Sequence, residues 1–547
     1  MQRRSVLKAL TTGASLLGLS QVQGKGLLSQ TLLLGAPGPS FQPTWLSLAN
    51  YQVPEWFRDA KFGIWAHWGP QCQAEYGDWY ARGMYQEGSD QYNYHMKKYG
   101  HPSKFGFKDI IHKWKAENWD PEELVSLYKN AGAQYFMALA NHHDNLDLYK
   151  SKYQPWNSTK VGPKKDIIGG WAKAAKHNNL PFGVSVHAAH AWSWMETAQR
   201  SDKSGPYKGI PYDGKLTKAD GAGKWWNGLD PQELYAQNHP LSENSLNDRM
   251  IHQQWNWGNG VAHPTKAYCE NFYKRTIELI DRYDPELIYF DDTALPLWPI
   301  NDAGLRIAAH LYNKSIKDHG ELRSVIFGKI LDEQQRKCMV WDIERGQSNQ
   351  IEPFPWQTDT CLGNWHYDRR TYERNGYKTA KTVVHTLVDV VSKNGNFLLN
   401  VPVRGDGTID EKERAIVEEI AAWMKVNSEA IYSTRPWTVF GEGPAMESSA
   451  PLSAQGFNEG KGKPFGAQDI RFTTKGNTLY AILLGWPADN RITIKSITGK
   501  NKVTAVEFLG NHAKLSFEQS VSGLAVQMPA SQQGKDAFVL KIQGAIS

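Results

Sequence analysis

Two adjacent carboxylates, Asp291 and Asp292, follow a short apolar run that begins at Leu287. The run has no helical period and contains aromatic and β-branched side chains, which is typical of a strand buried on both faces. In a barrel of parallel strands, an acid at such a strand end faces the catalytic rim. The pattern therefore favours Asp291 as a catalytic carboxylate, with a surface turn or helix cap as the alternative interpretation.

Histidines, tryptophans and further acids follow other apolar runs in the same way. They are His67, Trp79, His142, His143, His187, Asp342, Glu344, Asp359 and Trp365. Such a set suits a glycosidase, because imidazoles bind hydroxyls, indoles stack on sugar faces and two acids perform the displacement. Metal ligation and a structural histidine pair are the alternatives. Because neighbours on a strand point to opposite faces, His142 and His143 do not easily share one ion.

The elements that must position these side chains are buried apolar runs alternating with amphipathic helices, which is the α/β pattern. Helices are predicted from Asp120, as an N-cap, and over Thr265–Tyr283, Ala380–Asn394 and Asp410–Ser428. Eight strands, the number that a closed (β/α)8 or TIM barrel needs, are predicted at Lys61–His67, Ala133–Ala140, Pro181–His187, Glu286–Asp291, Ser324–Lys329, Cys338–Asp342, Phe354–Thr360 and Gly395–Val401.

Two regions fall outside a minimal barrel. Residues 188–263 form a long polar insertion rich in Gly and Trp, which we interpret as a cleft wall, since such long loops are usually functional. After about Ile431, short alternating segments replace the helical period and predict a C-terminal β-sandwich. The predicted domains are an export signal over 1–24, a catalytic barrel over 42–430 with the insertion 188–263, and the β-sandwich over 431–547.

The composition is that of a globular protein of 547 residues, for which two domains are expected. Its 22 Trp and 24 Tyr favour a sugar-binding cleft only slightly, because large cores use the same residues. The four cysteines lack metal-ligand spacing, so no zinc site is predicted. A net charge of +6 without a dense basic run argues against a nucleic-acid surface.

The first residues have the pattern of an export signal and are not expected to be part of the folded domains. Arg3 and Arg4 precede an apolar stretch that runs from Val6 to Leu19, which is the pattern of a secretory signal. The stretch is too short and interrupted for a stable membrane anchor. The sequence around Arg3 and Arg4 is similar to the twin-arginine export signal, so we expect a periplasmic or secreted bacterial enzyme.

Five motifs occur in a fixed order between about Trp56 and Trp437. They are KFGIWAHWG at 61–69, DWY at 78–80, ANHHD at 140–144, YFD at 289–291 and GNFLLNV at 395–401. The ordered set resembles the α-L-fucosidases of glycoside hydrolase family 29. The resemblance implies an imperfect barrel with a C-terminal β-sandwich, an exo-acting retaining mechanism, and no catalytic metal or cofactor.

The same resemblance implies roles for individual residues. Asp291 would be the nucleophile, and the terminal sugar would be held by His67, Trp79, His142 and His143, to which we add His187 and Trp365. The chain departs from the family in having Gln357 where a Glu is common. It also lacks the common Asn-Arg-Trp pattern, so a sugar contact made there by Arg comes from Lys329 or is absent.

These patterns together predict a retaining exo-α-L-fucosidase that removes terminal fucosyl residues from an oligo- or polysaccharide. Asp291 would attack the anomeric carbon, and Glu344 would serve as acid and base, with Glu352 and Asp359 as the alternatives. The expected partner is a fucosylated glycan, with no nucleic acid and no membrane. The alternative functions are hydrolysis of a galactose-configured or sulfated unit, and carbohydrate binding without turnover.

Overall fold

The computed structural model describes residues 40–448, 457–500 and 502–546. The predicted export signal over residues 1–24 lies outside the described residues. Within the described part of the chain, no helix is both long enough and apolar enough to cross a membrane.

Eight parallel strands close into a barrel in sequence order, with the last strand hydrogen-bonded to the first. The prediction of a TIM barrel is confirmed, and every predicted strand is present. The strands are Phe62–Ala66 (β1), Tyr135–Asn141 (β2), Phe182–Val186 (β3), Leu287–Phe290 (β4), Val325–Gly328 (β5), Val340–Glu344 (β6), Trp356–Cys361 (β7) and Gly395–Asn400 (β8).

Helices surround the barrel and pack their apolar faces on it, forming one large core. Side-chain caps start several of them, and Asp120 caps its helix as predicted, accepting from the amides of Glu122 and Glu123. The helices are Trp45–Leu48 (α1), Glu55–Ala60 (α2), Tyr80–Gly83 (α3), Asp90–Lys98 (α4), Phe107–Lys113 (α5), Pro121–Asn130 (α6), Ile167–His177 (α7), Ala191–Trp194 (α8), Pro231–Tyr235 (α9), Met250–Gln253 (α10), Lys266–Tyr283 (α11), Ala303–His319 (α12), Arg369–Glu373 (α13), Ala380–Ser392 (α14) and Glu411–Asn427 (α15).

The C-terminal part forms two antiparallel sheets around a second core, which confirms the predicted β-sandwich. One sheet has the order β14-β13-β17-β11-β10-β9 and the other β12-β16-β15. Their strands are Arg435–Glu442 (β9), Ile470–Lys475 (β10), Thr478–Leu483 (β11), Arg491–Ile494 (β12), Ala505–Phe508 (β13), Ala513–Lys514 (β14), Phe517–Ser520 (β15), Gly523–Gln527 (β16) and Phe538–Gln543 (β17). Several of these strands are short or half-exposed, such as β14 and β15.

The barrel interior is filled by a third cluster, to which several strands contribute alternate residues. Trp65 of β1, Tyr289 of β4 and Phe327 of β5 belong to it. Because side chains alternate across a strand, the position two residues further along each strand also faces the barrel axis. At the C-terminal ends of the strands, those positions are occupied by polar residues.

Candidate active site

A cavity of about 410 Å³ opens at the C-terminal end of the barrel. This volume is within the range of small-molecule sites. His67, Asp291 and Lys329 follow the inward-facing Trp65, Tyr289 and Phe327 by two residues, so strand alternation alone turns them toward the cavity. The predicted residues that line it are His67, Trp79, His142, His187, Asp291, Glu344 and Trp365. The remaining one, His143, contacts Asp291 beside the cavity.

The Asp291 carboxylate is held by three groups. One oxygen, Oδ2, lies 3.0 Å from His143 Nε2 and 3.2 Å from His187 Nδ1. The other oxygen accepts a hydrogen bond of 2.7 Å from the ammonium of Lys329. Burial acts to raise the pKa of Asp291, but the Lys329 charge and the histidine hydrogen bonds outweigh it and hold that pKa well below its usual range. Asp291 is therefore an anion at neutral pH.

Lys329 also donates to Glu344, so one buried ammonium bridges the two carboxylates predicted to be catalytic. Two oxygens that are hydrogen-bonded to the same nitrogen cannot be farther apart than the sum of the two N···O distances. For charge-assisted hydrogen bonds this sum is less than about 6 Å. Carboxyl groups of a retaining pair are about 5–5.5 Å apart, and those of an inverting pair about 6.5–9.5 Å. The bridge thus holds one oxygen of each acid closer together than the spacing of an inverting pair.

Below this bridge the barrel holds two more acids, Asp342 and Asp359. Burial raises the pKa of Asp342 to about 7, and its carboxylate accepts from Gln357, which in turn accepts from Tyr135. Burial and the neighbouring Asp342 raise the pKa of Asp359 well above its usual value, which favours the protonated form of Asp359. The excess of carboxylates around Lys329 raises the pKa of its ammonium despite burial.

The alternatives for the proton donor occupy different places. Glu352 lies outside the cavity, where it accepts from Ser348 at 2.6 Å and from Arg336 at 3.2 Å. Asp359 lines the cavity but is fully buried, whereas the side chain of Glu344 is 18% exposed. A group that protonates a leaving oxygen must reach it, so the geometry favours Glu344 over both.

The histidines form a tight cluster at the mouth of the barrel. Both ring nitrogens of His67 and Nε2 of His187 are buried and have no hydrogen-bond partner among the described residues. Burial lowers the pKa of His67 well below its usual value and that of His187 to about 4, so both rings are neutral. Neutral imidazoles with free nitrogens are ready to exchange hydrogen bonds with sugar hydroxyls.

His143 differs from its neighbours, because both of its nitrogens face oxygen atoms. Its Nδ1 donates to the carbonyl of His187 at 2.7 Å, and its Nε2 faces Asp291. Burial lowers the pKa of His143, but two acceptors fit only the doubly protonated ring. The doubly protonated ring thus donates from Nε2 to Asp291, and this hydrogen bond orients the carboxylate.

Two sets of three histidines bring their nitrogens within 4.8 Å of one another, which is close enough to hold a metal ion. They are His67, His142 and His366, and His142, His143 and His187. In the second set, the nitrogens of His143 are already engaged by Asp291 and His187, which disfavours an ion there. The first set fits an ion or several hydroxyl groups equally well.

The aromatic walls come from three separate segments. Trp79 has a left-handed backbone, with φ of 60°, and its ring stacks on His252 at 5.1 Å. Trp365 packs on Trp65 at 5.5 Å and on His67 at 5.7 Å. These apolar faces beside hydroxyl-binding histidines are the arrangement expected for a pyranose.

The insertion 188–263 contributes to the cavity directly. His252 and Trp255 line it, and Trp255 packs edge-on against His143 at 5.0 Å. Asp292 turns toward the base of this insertion, where its carboxylate lies 3.1 Å from His190 and accepts from the amide of Thr293. The insertion therefore reaches the residues predicted to bind the sugar, in addition to forming an outer wall.

Sequence reasoning missed several residues of the cavity. Lys329 was considered only as a sugar contact, and its bridge between acids became visible in the closed barrel. Tyr289 was part of a motif but was given no role, although its position, two residues before Asp291 on an inward-facing strand, was a signal. His366, which also lines the cavity, directly follows Trp365 and was given no role. No signal in the sequence marked His252 or Trp255.

Comparison with known proteins identifies the same pattern over most of the chain. The profile of the family "Alpha-L-fucosidase" matches residues 34–429, and that of "Alpha-L-fucosidase C-terminal domain" matches residues 463–543. The tissue alpha-L-fucosidase of Rattus norvegicus is 25% identical over 94% of this chain and 96% of its own length. That of Bos taurus is 26% identical over 92% of both chains.

A solved structure shows the same relationship. The alpha-L-fucosynthase of Thermotoga maritima, in complex with α-L-Fuc-(1-2)-β-L-Fuc-N3, is 25% identical and superposes with a TM-score of 0.66. The match covers 92% of this chain and 100% of that one.

Proposed function

This chain belongs to the alpha-L-fucosidase family, and from that premise we propose which residues perform its reaction. The enzyme is a retaining glycoside hydrolase that releases terminal α-L-fucosyl residues. Asp291 is its nucleophile, and Glu344 is its acid and base. Family membership does not favour a galactose-configured substrate or a protein that only binds carbohydrate.

The reaction proceeds in two displacements at the anomeric carbon. In the first, an oxygen of Asp291 forms a bond to that carbon while Glu344 transfers a proton to the departing glycosidic oxygen. In the second, Glu344 takes a proton from water, and the resulting oxygen displaces Asp291. The sugar leaves with its original configuration, and both carboxyl groups return to their starting states.

Lys329 has a separate part in each step. While Asp291 is an anion, the ammonium stabilises it and keeps it deprotonated in spite of its burial. When Asp291 becomes an ester, it loses its charge, and the ammonium remains bonded to Glu344, which is then the anionic base. One cation can serve both acids because each is charged in a different half of the cycle.

The observation that supports this assignment is the Lys329 bridge, because it keeps one oxygen of each acid closer together than the spacing of an inverting pair. The sugar would lie among His67, His142, His143 and His187, with Trp79 and Trp365 against its apolar faces. The free nitrogens of His67 and His187 would bind its hydroxyls.

Replacement of the nucleophile tests the assignment. Asp291→Ala should lose nearly all turnover of an aryl fucoside, and added azide should restore part of it by attacking from the vacated side. The product would then be a fucosyl azide of inverted configuration, which NMR identifies. Turnover near that of the wild type in Asp291→Ala would end the assignment, as would azide rescue of Asp292→Ala instead.

We further propose that the enzyme is exported in the folded state to the periplasm or beyond. All four cysteines, Cys72, Cys269, Cys338 and Cys361, are buried and unpaired, so the fold requires no oxidising compartment. This agrees with the twin-arginine-like wording at Arg3 and Arg4, since that route carries folded proteins. If both arginines are replaced by lysine, the enzyme should no longer be exported, and its activity should be found in the cytoplasmic fraction. An unchanged distribution of activity between the cell fractions would refute this route.

A further inference from the structure

A second cavity, of about 560 Å³, lies against α14 on the side of the β-sandwich. Arg345 lines both this cavity and the catalytic one, so the two adjoin. We call the second cavity the basic cleft. Two carboxylates, Asp389 and Glu459, line it among the described residues, together with six cationic side chains: Arg345, Lys378, Lys381, Lys393, Lys463 and Arg471.

The floor of the basic cleft holds an uncompensated positive charge. Lys393 and Arg471 are 5% and 2% exposed, and both bond to the same carboxylate, Asp389, at 2.6 Å. Within the described residues, no second carboxylate contacts this pair. Two buried cations on one anion leave a net charge that is costly to bury unless another anion approaches it.

The same imbalance is visible in the properties of Lys393. Burial lowers the pKa of its ammonium, and the nearby Arg471 lowers it further, although Asp389 acts in the opposite direction. The ring of Phe440 lies 4.9 Å from the Lys393 nitrogen and 5.5 Å from the Arg471 guanidinium. An aromatic face attracts a cation less strongly than a full negative charge does, so the Phe440 ring does not replace a missing anion.

The rim of the cleft adds further positive charge. Glu459 is shared by Arg345 at 3.4 Å and Lys378 at 3.3 Å, which repeats the pattern of two cations on one acid. Lys381 is exposed at the start of α14 and forms no ion pair with any residue that the structure describes. The cleft is thus basic from floor to rim.

The position of the cleft relative to the reaction follows from the chemistry. A general acid lies on the side of the leaving group, and Glu344 is followed directly by Arg345. The amide of Phe457 donates to the carbonyl of Glu344, and that of Glu459 to the carbonyl of Arg345, both at 2.9 Å. The segment at 457–459 therefore fixes the cleft beside the proposed proton donor, on the leaving-group side.

We propose that the basic cleft binds an anionic substituent, a sulfate ester or a carboxylate, on the leaving-group part of the glycan. This inference rests on the proposed role of Glu344 for its orientation, but the anion site itself does not depend on turnover. The fucosyl unit in the catalytic cavity does not have to carry a charge for this interaction. The enzyme thereby selects acidic glycans through the sugar units to which the fucose is attached.

Hydrolysis of matched substrates tests the selection. Three fucosides with one linkage are compared, on galactose, galactose 6-sulfate and galacturonate. We expect kcat/KM to be higher for an anionic leaving unit than for the neutral one, and the preference to weaken at high salt. Lys381→Glu should lower the anionic-to-neutral ratio by about three- to fivefold, the effect of one exposed ion pair.

Lys266→Glu is the matched control, because Lys266 is also an exposed lysine in the first turn of a helix that begins after a threonine cap. It lies outside both cavities and should leave the ratio unchanged. Equal ratios in the wild type and Lys381→Glu would overturn the inference. The sulfate and carboxylate substrates distinguish the two sources of negative charge.

Binding to the full-length Asp291→Ala variant provides a test without turnover. Calorimetry should detect galactose 6-sulfate or galacturonate but not galactose, and Lys381→Glu should weaken the signal. If no fucoside is hydrolysed while this binding persists, the proposed function fails and the cleft stands. If neither anionic sugar binds, or inorganic sulfate binds equally well, the assignment to a glycan is overturned.

Discussion

At the scale of single residues, the site depends on one cation that serves two acids. Lys329 is 5% exposed and contacts Asp291 and Glu344, while Asp342 and Asp359 lie beneath it. One ammonium does not balance four charged carboxyl groups, and burial raises the pKa of Asp359, which favours its protonated form. Contact with Lys329 thus favours Asp291 as the carboxylate that is charged before the reaction begins.

Glu344→Gln tests the proton donor. A general acid matters most when the leaving oxygen is poor, so the variant should lose most of its turnover of a natural glycosidic bond. The first displacement from a dinitrophenyl fucoside should be spared, and the glycosyl-enzyme should accumulate because no base activates water. Burst kinetics measure both effects. Asp359→Asn is the comparison, and leaving-group dependence there would move the role to Asp359.

Lys329→Met tests the electrostatic role of the bridge. Since the ammonium keeps the pKa of Asp291 low, its removal raises that pKa. The nucleophile must be deprotonated, so the acidic limb of the kcat/KM profile should move to higher pH. Lys329→Arg retains the charge and should keep the limb near its original position. An unmoved limb in Lys329→Met would show that the cation does not control Asp291.

At the scale of elements, the C-terminal ends of β1 to β6 carry the residues proposed to act on the sugar, and the insertion 188–263 contacts these residues. Trp255 stacks on His190 at 3.9 Å and meets His143 edge-on. His143 in turn faces Asp291. The insertion therefore supports the residues proposed to hold the sugar, in addition to forming a wall of the cleft.

Trp255→Ala tests whether the insertion supports the residues proposed to hold the sugar. Loss of the indole frees the His143 ring, so we expect turnover of aryl and natural fucosides to fall by similar factors, about tenfold or more. Trp225→Ala is the control, because Trp225 belongs to the same insertion but is 37% exposed and bonds to Asp109 away from the cavity. A loss confined to natural substrates would instead place Trp255 on the leaving-group side.

At the scale of the molecule, the barrel helices and the β-sandwich are joined by buried polar contacts. Asp389 of α14 bonds to Arg471 of β10, and Trp423 of α15 donates to the carbonyl of Ala537 at 2.9 Å. His385 lies 2.8 Å from the carbonyl of Asp536. Because these groups are largely buried, loss of one partner leaves the other without its hydrogen bond.

Asp389→Ala should therefore destabilise the whole chain. It leaves Lys393 and Arg471 buried without their anion, at a cost of about 3–5 kcal/mol. Thermal unfolding followed by calorimetry should show a lower transition temperature. Asp318→Ala, which breaks an exposed pair with Lys314, should leave the transition temperature nearly unchanged. Equal small shifts in the two variants would show that the buried pair does not hold the parts together.

Much of this architecture was predictable because it depends on local patterns. Apolar runs that end in acids, such as the one before Asp291, predict strands, and their number and alternation with helices predict a barrel. Polar residues two positions beyond Trp65, Tyr289 and Phe327 face the axis by alternation alone. These features need only the periodicity of a strand, which is why the sequence by itself determined the fold and most of the strand-end residues.

The contacts between strands were decided by the tertiary structure. Lys329 bridges Asp291 and Glu344 only because closure brings β4, β5 and β6 side by side, and no spacing in the chain encodes that distance. His252 and Trp255 reach the cavity through a long irregular insertion, which has no periodicity to read. Likewise, Lys393 and Arg471 are far apart in sequence and meet on Asp389 only when the two cores pack together, because burial and charge balance are properties of the whole fold.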